Sequence, residues 1–188
     1  QVPAALEFEP DSSSKKKKGV HKPIYSPVFT QNPIQKTDIG CVHLLVNPFS
    51  GKKKGRKIGE NVKEILENEG STVEIHFSAH SGHLIEIAES IQAQPNDVFA
   101  VVGGDGSLSE VITGRMIATT ERSERFALIP AGTGNSVAND LRLTSTEQAV
   151  QGILKGTWQN LDLARVEIVE GLPGSEKGRT VRYSHNLV

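Results

Sequence analysis

The 188-residue chain lacks several features that mark particular classes of protein. Its one cysteine, Cys41, has no partner for an intrachain disulfide, which indicates a reducing compartment. No apolar run approaches the ~18–20 residues that span a bilayer, and no signal-peptide pattern follows Gln1. Lys and Arg number 21 against 22 Asp and Glu. This balance excludes the broad basic surface by which many proteins bind nucleic acid, so no nucleic-acid partner is predicted.

Residues 1–38 differ in composition from the rest of the chain. They hold five of the nine prolines, only one glycine and a run of four lysines at 15–18. Such a segment buries too little apolar surface to offset the entropy of ordering it, so a mostly disordered leader is predicted. The lysines suit either contact with anionic lipid or a solvated tail. Since the chain begins at Gln1 rather than Met, we interpret it as a fragment at this end.

From Ile39 onward, short apolar runs alternate with helical patterns. Ser81 is predicted to cap one helix at its N-terminus, and Gly70 to end another. The predicted strands are 41–46, 72–77, 98–102, 126–129 and 161–169, and the predicted helices are 55–69, 81–91, 108–117, 135–142 and 146–155. This alternation predicts an α/β fold, a three-layer αβα domain with a mostly parallel sheet.

Three polar, glycine-rich segments follow three of these strands, at 47–52, 103–107 and 130–135. Because parallel strands bring their carboxyl ends to one edge of the sheet, the three segments are expected to meet there. Their glycines let the backbone approach an anion, and a helix follows each segment with its positive end toward the loop. Hydroxyls and the lysines 52–54 add donors and charge. The sequence therefore predicts a phosphate site at this edge.

Asp105 is unusual among these residues, because phosphate would repel its carboxylate. It suits a phosphate site if it holds Mg²⁺, or if it accepts a proton from an attacking hydroxyl. Structural roles remain open for several neighbours: Ser50 and Ser107 as helix caps, and Glu110 as a capping-box partner of Ser107. Neither a Walker A loop nor a complete Gly-x-Gly-x-x-Gly fingerprint is present, since Val137 replaces the last glycine.

Over residues 39–170 the sequence resembles the diacylglycerol kinase catalytic-domain family, which includes sphingosine, ceramide and bacterial lipid kinases. The resemblance rests on the Asn-Pro loop at 47–52, the Gly-Gly-Asp-Gly-Ser segment at 103–107 and the Pro-Ala-Gly-Thr-Gly-Asn loop at 130–135. An aspartate at the final strand, here Asp162, is also usual in the family. The middle segment alone is shared with NAD kinases and phosphofructokinases, whereas the flanking loops favour lipid kinases.

The resemblance implies an ATP- and Mg²⁺-dependent kinase that transfers the γ-phosphate of ATP to a primary hydroxyl of a sphingoid base, a ceramide or a diacylglycerol. Asp105 is then the catalytic residue and the Mg²⁺ ligand. The implied nucleotide-binding residues are Asn47, Pro48, Ser50, Gly51, Lys52, Ser78, Gly103, Gly104, Gly106, Ser107, Glu110, Gly132, Thr133, Gly134 and Asn135.

Members of the family carry a second, β-rich domain that supplies much of the lipid pocket. Residues 171–188 are therefore expected to be a loop and the entry to that domain. A cytoplasmic protein that contacts its lipid substrate transiently at a membrane surface is the implied localisation. Two alternatives stay open, namely an NAD kinase-like enzyme with a soluble substrate and a catalytically inactive nucleotide-binding module.

Overall fold

The protein is described from a computed structural model, in which residues 35–119, 125–169 and 179–184 can be placed. Residues 1–34 of the predicted leader, the predicted loop at 171–178 and the last four residues lie outside this part of the chain. The elements in chain order are β1 (Gln35–Lys36), β2 (Val42–Val46), α1 (Ser50–Lys53), α2 (Gly55–Asn68), β3 (Val73–Phe77), α3 (His83–Ser90), β4 (Val98–Gly103), α4 (Asp105–Ala118), β5 (Arg125–Pro130), α5 (Ser136–Asp140), α6 (Thr146–Leu154), β6 (Thr157–Trp158), β7 (Ala164–Val169) and β8 (Arg179–Ser184).

The centre of the fold is a four-stranded parallel sheet with the order β3-β2-β4-β5. In β2 every residue is buried, as is expected for a strand with helices on both faces. Alternate residues serve the two faces, so Leu44 and Val46 pack with α2 and α6, whereas Leu45 packs with α3 and α4. The predicted three-layer α/β architecture is confirmed. Among the described residues, no helix combines the length and apolar character needed to cross a membrane.

Two pairs of strands lie outside the central sheet. β1 pairs antiparallel with β6, and β7 pairs antiparallel with β8. Residues 35 and 36 thus belong to the domain, although the predicted leader extended to residue 38. The last strand before the loop begins at Ala164, so Asp162 precedes the strand rather than lying in it. β8 is fixed on α4, because Ser109 Oγ donates to the Tyr183 carbonyl at 2.6 Å and Thr113 Oγ1 accepts from the Tyr183 amide at 3.1 Å.

Helix ends follow the predictions at some sites and depart from them at others. Gly70 ends α2 as predicted, with a φ of 86° and its amide donating to the Glu67 carbonyl. The prediction that Ser81 caps α3 is wrong, because the N-cap is Gly82 with a φ of 84°. The Gly82 amide instead donates to Glu110 Oε1 at 3.0 Å, a contact with a remote helix. α4 begins at Asp105, three residues before its predicted start.

At the amino-terminal edge of the sheet, Asp97 ties several segments together. Its carboxylate accepts the amides of Cys41 and Gln94 at 2.8 and 2.7 Å, and one oxygen lies 3.1 Å from His43 Nε2. Burial favours a raised pKa for Asp97, but hydrogen bonds from Gln94, His43 and Cys41 outweigh burial and hold that pKa below its ordinary value. The carboxylate is therefore ionised at neutral pH, and acid that protonates it weakens this corner of the fold.

The packing of α3 on α4 depends on Gly114. A Cβ at this position would lie 2.3 Å from the Ile85 carbonyl oxygen and 2.9 Å from the Ala88 Cβ. Beside it, the buried Arg115 donates to the carbonyls of Ala88 and Ile91 at 2.7 and 2.6 Å, where α3 ends. Its guanidinium also stacks on Phe99 at 4.5 Å. The two helices thus touch through backbone, and a side chain at residue 114 would separate them.

Gly114→Ala and Gly152→Ala are expected to change stability in opposite directions. Alanine at 114 forces α3 from α4 and is expected to destabilise the fold by ~1–3 kcal/mol. Position 152 is helical and a Cβ there meets nothing within 4 Å. Alanine at position 152 is therefore expected to raise the free energy of unfolding by about 0.5–1 kcal/mol, because alanine has a higher helix propensity than glycine. Urea unfolding of both variants checks the pair, and equal effects of the same sign would contradict this packing.

Candidate functional site at the carboxyl edge of the sheet

The loops that follow β4 and β5 are in direct contact. The register pairs Gly103 with Pro130, so both strands end at the same level. The Gly103 carbonyl then accepts the amides of Ala131 and Gly132 at 2.9 and 3.1 Å. These two glycine-rich segments meet at one edge of the sheet, as predicted.

The loop after β2 reaches both of the others. The Asn47 amide continues the sheet by donating to the Val102 carbonyl at 3.0 Å, and Asn47 Nδ2 donates to Ser107 Oγ at 3.3 Å. On its other side, Gly51 lies so close to Ala131 that a Cβ would be 2.6 Å from the carbonyl oxygen. The predicted convergence of all three loops is confirmed.

The strand order places this convergence at a specific point of the sheet. From β2 the chain moves outward to β3, then returns across β2 to form β4. The carboxyl ends of β2 and β4 therefore flank the position where the strand order reverses. In open α/β sheets, ligands bind in the crevice at such a point.

Most of the loop glycines are required by the protein's own packing. A Cβ on Gly132 would lie 2.5 Å from Gly104 Cα, and one on Gly103 would lie 2.5 Å from the Ser107 side chain. Gly106 differs, because a Cβ there meets nothing within 4 Å and the residue is exposed. It lies in the first turn of α4, a 14-residue helix, next to the converging loops. Within this part of the fold, Gly106 leaves the backbone open to an approaching ligand.

The backbone of the first loop is strained. Gly51, Lys52 and Lys53 all have left-handed conformations, with φ values of 58°, 59° and 68°. For each lysine this conformation costs roughly 1–2 kcal/mol. Such strain concentrates at ligand-binding sites. Lys52 and Lys53 are exposed and supply positive charge beside the glycine loops.

Asp105 connects α4 to α5. Its two carboxylate oxygens accept the amides of Ser136 and Val137, each at 2.9 Å. The half-buried carboxylate thus caps the first turn of α5 from a position 31 residues earlier in the chain. This contact was not predicted, because nothing local in the sequence signals it. It holds the carboxylate in one orientation at the centre of the converging loops.

The loop after β5 closes on itself before α5 begins. Asn135 Oδ1 accepts the Gly132 amide at 2.9 Å, and Asn135 Nδ2 donates to the Gly132 carbonyl at 3.0 Å. Asn135 itself is left-handed, with a φ of 51°. Thr133 and Gly134 form the exposed tip of this closed turn.

The remaining predicted site residues lie around this centre, several with internal partners. Ser50 Oγ donates to the Asn47 carbonyl at 2.8 Å, and Pro48 is half-buried. Ser78 is buried at the end of β3, where its amide donates to the Val46 carbonyl at 2.9 Å. Glu110 turns toward the start of α3 and is not a capping partner of Ser107. The roles of these residues in binding stay predictions.

Comparisons with known proteins show which family the chain resembles. Residues 41–166 match the family profile described as diacylglycerol kinase catalytic domain. Sphingosine kinase 1 of Arabidopsis thaliana is 31% identical over 168 residues, which is 85% of this chain and 33% of that protein. Sphingosine kinase B of Dictyostelium discoideum is 30% identical over 129 residues, or 67% of this chain and 17% of that protein.

A similar fold is found in a solved structure. The crystal structure of a diacylglycerol kinase from Bacillus anthracis str. Sterne superposes with a TM-score of 0.55 at 23% identity, covering 70% of this chain and 46% of that one. The chain spans a third or less of the two sphingosine kinases named above. With the family profile matched over residues 41–166 and the glycine loops assembled at the sheet edge, the chain belongs to the diacylglycerol kinase catalytic-domain family.

Proposed function

We propose that this chain is the nucleotide-binding part of an ATP-dependent lipid kinase, which transfers the γ-phosphate of ATP to a primary hydroxyl of a lipid. The candidate acceptors are sphingoid bases, ceramides and diacylglycerols. The observation that carries the proposal is the contact of the three glycine-rich loops where the strand order reverses. Family membership makes a kinase the expected activity of this arrangement.

In this proposal the first turn of α4 receives the phosphates. The open face of Gly106 lets them approach the backbone, and the helix N-terminus favours their negative charge. Asn47 holds the loop after β2 against Ser107, so that Lys52 remains close to the same edge. The chain thereby contributes positioning and charge neutralisation, which supply most of the catalysis in phosphoryl transfer.

The residues fit the Mg²⁺ that such a reaction uses. Asp105 is the only carboxylate in the three loops, and Mg²⁺ in kinases is commonly held by one or two carboxylates together with substrate phosphates. The amides of Ser136 and Val137 fix the carboxylate and leave further lone pairs on both oxygens. When bound, Mg²⁺ neutralises charge on the transferred phosphoryl group. Asp105 would hold the ion or accept the hydroxyl proton of the lipid, and both roles require its negative charge.

Contact with a membrane surface is supported by the loop after β2. Phe49 is 60% exposed, and the exposed lysines 52–54 follow it. An exposed aromatic ring beside basic side chains suits the headgroup region of an anionic membrane. We propose that this loop brings the carboxyl edge to the lipid, with the protein cytoplasmic and only transiently membrane-bound.

One observation favours a second candidate, an inactive nucleotide-binding module. Both oxygens of Asp105 already accept hydrogen bonds from amides of α5, so the residue has a structural role even in a protein that transfers no phosphate. Such a module would bind ATP and transfer no phosphate, and the transfer assay below distinguishes it from a kinase.

Gly106→Ala is expected to separate nucleotide binding from folding. The methyl group occupies the space through which phosphate reaches the backbone, so the Kd for ATP-Mg²⁺ should rise by about tenfold or more, some 1.4 kcal/mol. Thermal stability should not fall, because a Cβ there meets nothing within 4 Å. Gly152→Ala is the matched control, an open helical glycine outside the three loops. Unchanged ATP affinity in Gly106→Ala would contradict phosphate binding at α4.

Asp105→Asn is expected to reduce phosphate transfer strongly in the whole protein. Removing the charge should lower kcat by about 100-fold or more, the loss seen when one group that stabilises the transition state is removed. Its cap on α5 weakens too, at a cost of ~0.5–2 kcal/mol. Asp140→Asn, an exposed acid at the end of α5, makes the same charge change and should keep activity.

The transfer assay uses labelled ATP-Mg²⁺ with diacylglycerol, sphingosine, ceramide and NAD as acceptors. Labelled lipid with the wild type and with Asp140→Asn, but not with Asp105→Asn, supports the proposal and names the lipid class. If NAD is the only acceptor that becomes labelled, the lipid-kinase proposal is wrong. ATP binding without any labelled acceptor identifies the inactive module.

Phe49→Ala is expected to impair the phosphorylation of lipid in a membrane more than the phosphorylation of lipid dispersed in detergent. The side chain is 60% exposed, so its loss should leave the fold intact. The apparent KM for lipid in anionic vesicles should rise severalfold, because less apolar surface enters the membrane. With the same lipid dispersed in detergent, kcat and KM should stay near wild type. Equal effects in vesicles and detergent would contradict a membrane-contact role.

A further inference from the structure

A second cluster of chemically reactive side chains lies at the amino-terminal edge of the sheet, opposite the glycine loops. Cys41 and His43 are two residues apart at the start of β2, and Glu74 lies opposite His43 in the neighbouring β3. Because strand side chains alternate, this spacing puts all three on one face. The three residues line an open cleft together with Asp97. None of the four is among the predicted site residues.

The three side chains can converge on one ion. One ligand atom from each of Cys41, His43 and Glu74 lies within 4.8 Å of the other two. His43 is only 4% exposed and stacks on Phe99 at a centroid distance of 5.2 Å, so its ring is held in place. Glu74 has a 60% exposed side chain and is free to adjust.

One nitrogen of His43 has no hydrogen bond. Nδ1 is buried, and no hydrogen-bonding partner for it lies in the described part of the chain. It faces Glu74 Oε2 at 3.3 Å without the alignment that a hydrogen bond needs. A buried nitrogen left in this state requires an explanation.

The contact made by the other nitrogen of His43 leaves Nδ1 available as a metal ligand. Nε2 lies 3.1 Å from Asp97 Oδ2, and the amides of Cys41 and Gln94 hold that carboxylate in place. A carboxylate acceptor keeps the proton on Nε2, which leaves the lone pair on Nδ1, the nitrogen that faces Glu74. A carboxylate behind a histidine is the arrangement that orients metal-ligating histidines in proteins.

We propose that Cys41, His43 and Glu74 bind a Zn²⁺ ion, with Asp97 as the residue that positions His43. A thiolate, an imidazole and a carboxylate form a donor set that suits Zn²⁺ and not Mg²⁺. Tetrahedral ligation brings the donor atoms to about 3.3–3.8 Å from one another. Because the three ligand atoms already lie within 4.8 Å of one another, side-chain shifts of roughly 1 Å close the site. The fourth position faces the cleft and is open to water.

The zinc site is independent of the proposed nucleotide site. β2 has five residues between the two edges, which is about 17 Å of strand. A zinc ion at Cys41 would therefore stabilise the start of β2 and β3 without touching ATP. Success or failure of this proposal leaves the kinase proposal untouched.

Cobalt provides a direct test with the full 188-residue chain. Co²⁺ occupies zinc sites and gives a thiolate-to-metal absorption band when a cysteine binds it. Since Cys41 is the only cysteine of the chain, such a band reports Cys41 alone. We expect the band on adding Co²⁺, its loss on adding one equivalent of Zn²⁺, and a rise in the thermal midpoint with Zn²⁺, because the ion binds only the folded state.

Three variants make the test specific. Cys41→Ser should abolish the band and the Zn²⁺-dependent stabilisation. Glu74→Gln, at an exposed side chain, should fold normally and bind Zn²⁺ about tenfold more weakly or worse, the loss typical of removing even a supporting group. His80→Ala is the control, because His80 stacks on His83 in a separate histidine pair with ring centroids 4.8 Å apart. The thiolate-to-cobalt band of His80→Ala should be the same as that of the wild type. A wild-type spectrum without a thiolate band, or equal Zn²⁺ affinity in Cys41→Ser, would overturn the proposal.

Discussion

The contact between Gly104 and Gly132 is the constraint on which the carboxyl edge depends. The parallel register ends β4 and β5 at the same level, so their loops emerge side by side. A Cβ on Gly132 would lie 2.5 Å from Gly104 Cα, and the loops can therefore meet only as glycines. Their contact brings Asp105 to the first amides of α5. The same glycines that suit a phosphate site thus also assemble it.

The central sheet has polar groups at both of its edges, where the strands begin and end, and an apolar interior between them. All five residues of β2 are buried, and apart from His43 near its start all of them are apolar, so the reactive side chains lie toward the two ends of the strand. At the carboxyl edge the strand leads to backbone-rich loops that suit phosphate. At the amino edge it begins beside a cysteine, a histidine and two carboxylates, donors that suit a metal ion. One strand therefore positions both proposed sites.

The sequence was sufficient to predict the order of strands and helices and the meeting of three loops, because buried parallel strands are continuous apolar runs and parallel strands align their carboxyl ends. It was insufficient wherever a contact joins distant residues. Ser81 was predicted to cap α3, but Glu110 from α4 binds the Gly82 amide instead. The contact of Asp105 with α5 was missed for the same reason.

The local sequence also did not distinguish residues that pack closely from residues that are open to a ligand. Several loop glycines were interpreted only as phosphate contacts, although Gly103 and Gly132 are required by close packing, and only Gly106 has open space. The amino-edge cluster was missed although it has a signal, since Cys41 and His43 share the two-residue spacing of Glu74 and His76. That signal becomes informative only when β2 and β3 are known to be neighbours.

If nucleotide phosphates bind where the three loops meet, the amide chemical shifts of those loops will change during a titration with ATP-Mg²⁺. We expect saturable shifts of the Gly104, Gly106 and Gly132 amides, with little change at Cys41 and His43. Shifts centred on the amino edge, or none at millimolar ATP in the folded chain, would contradict phosphate binding where the loops meet.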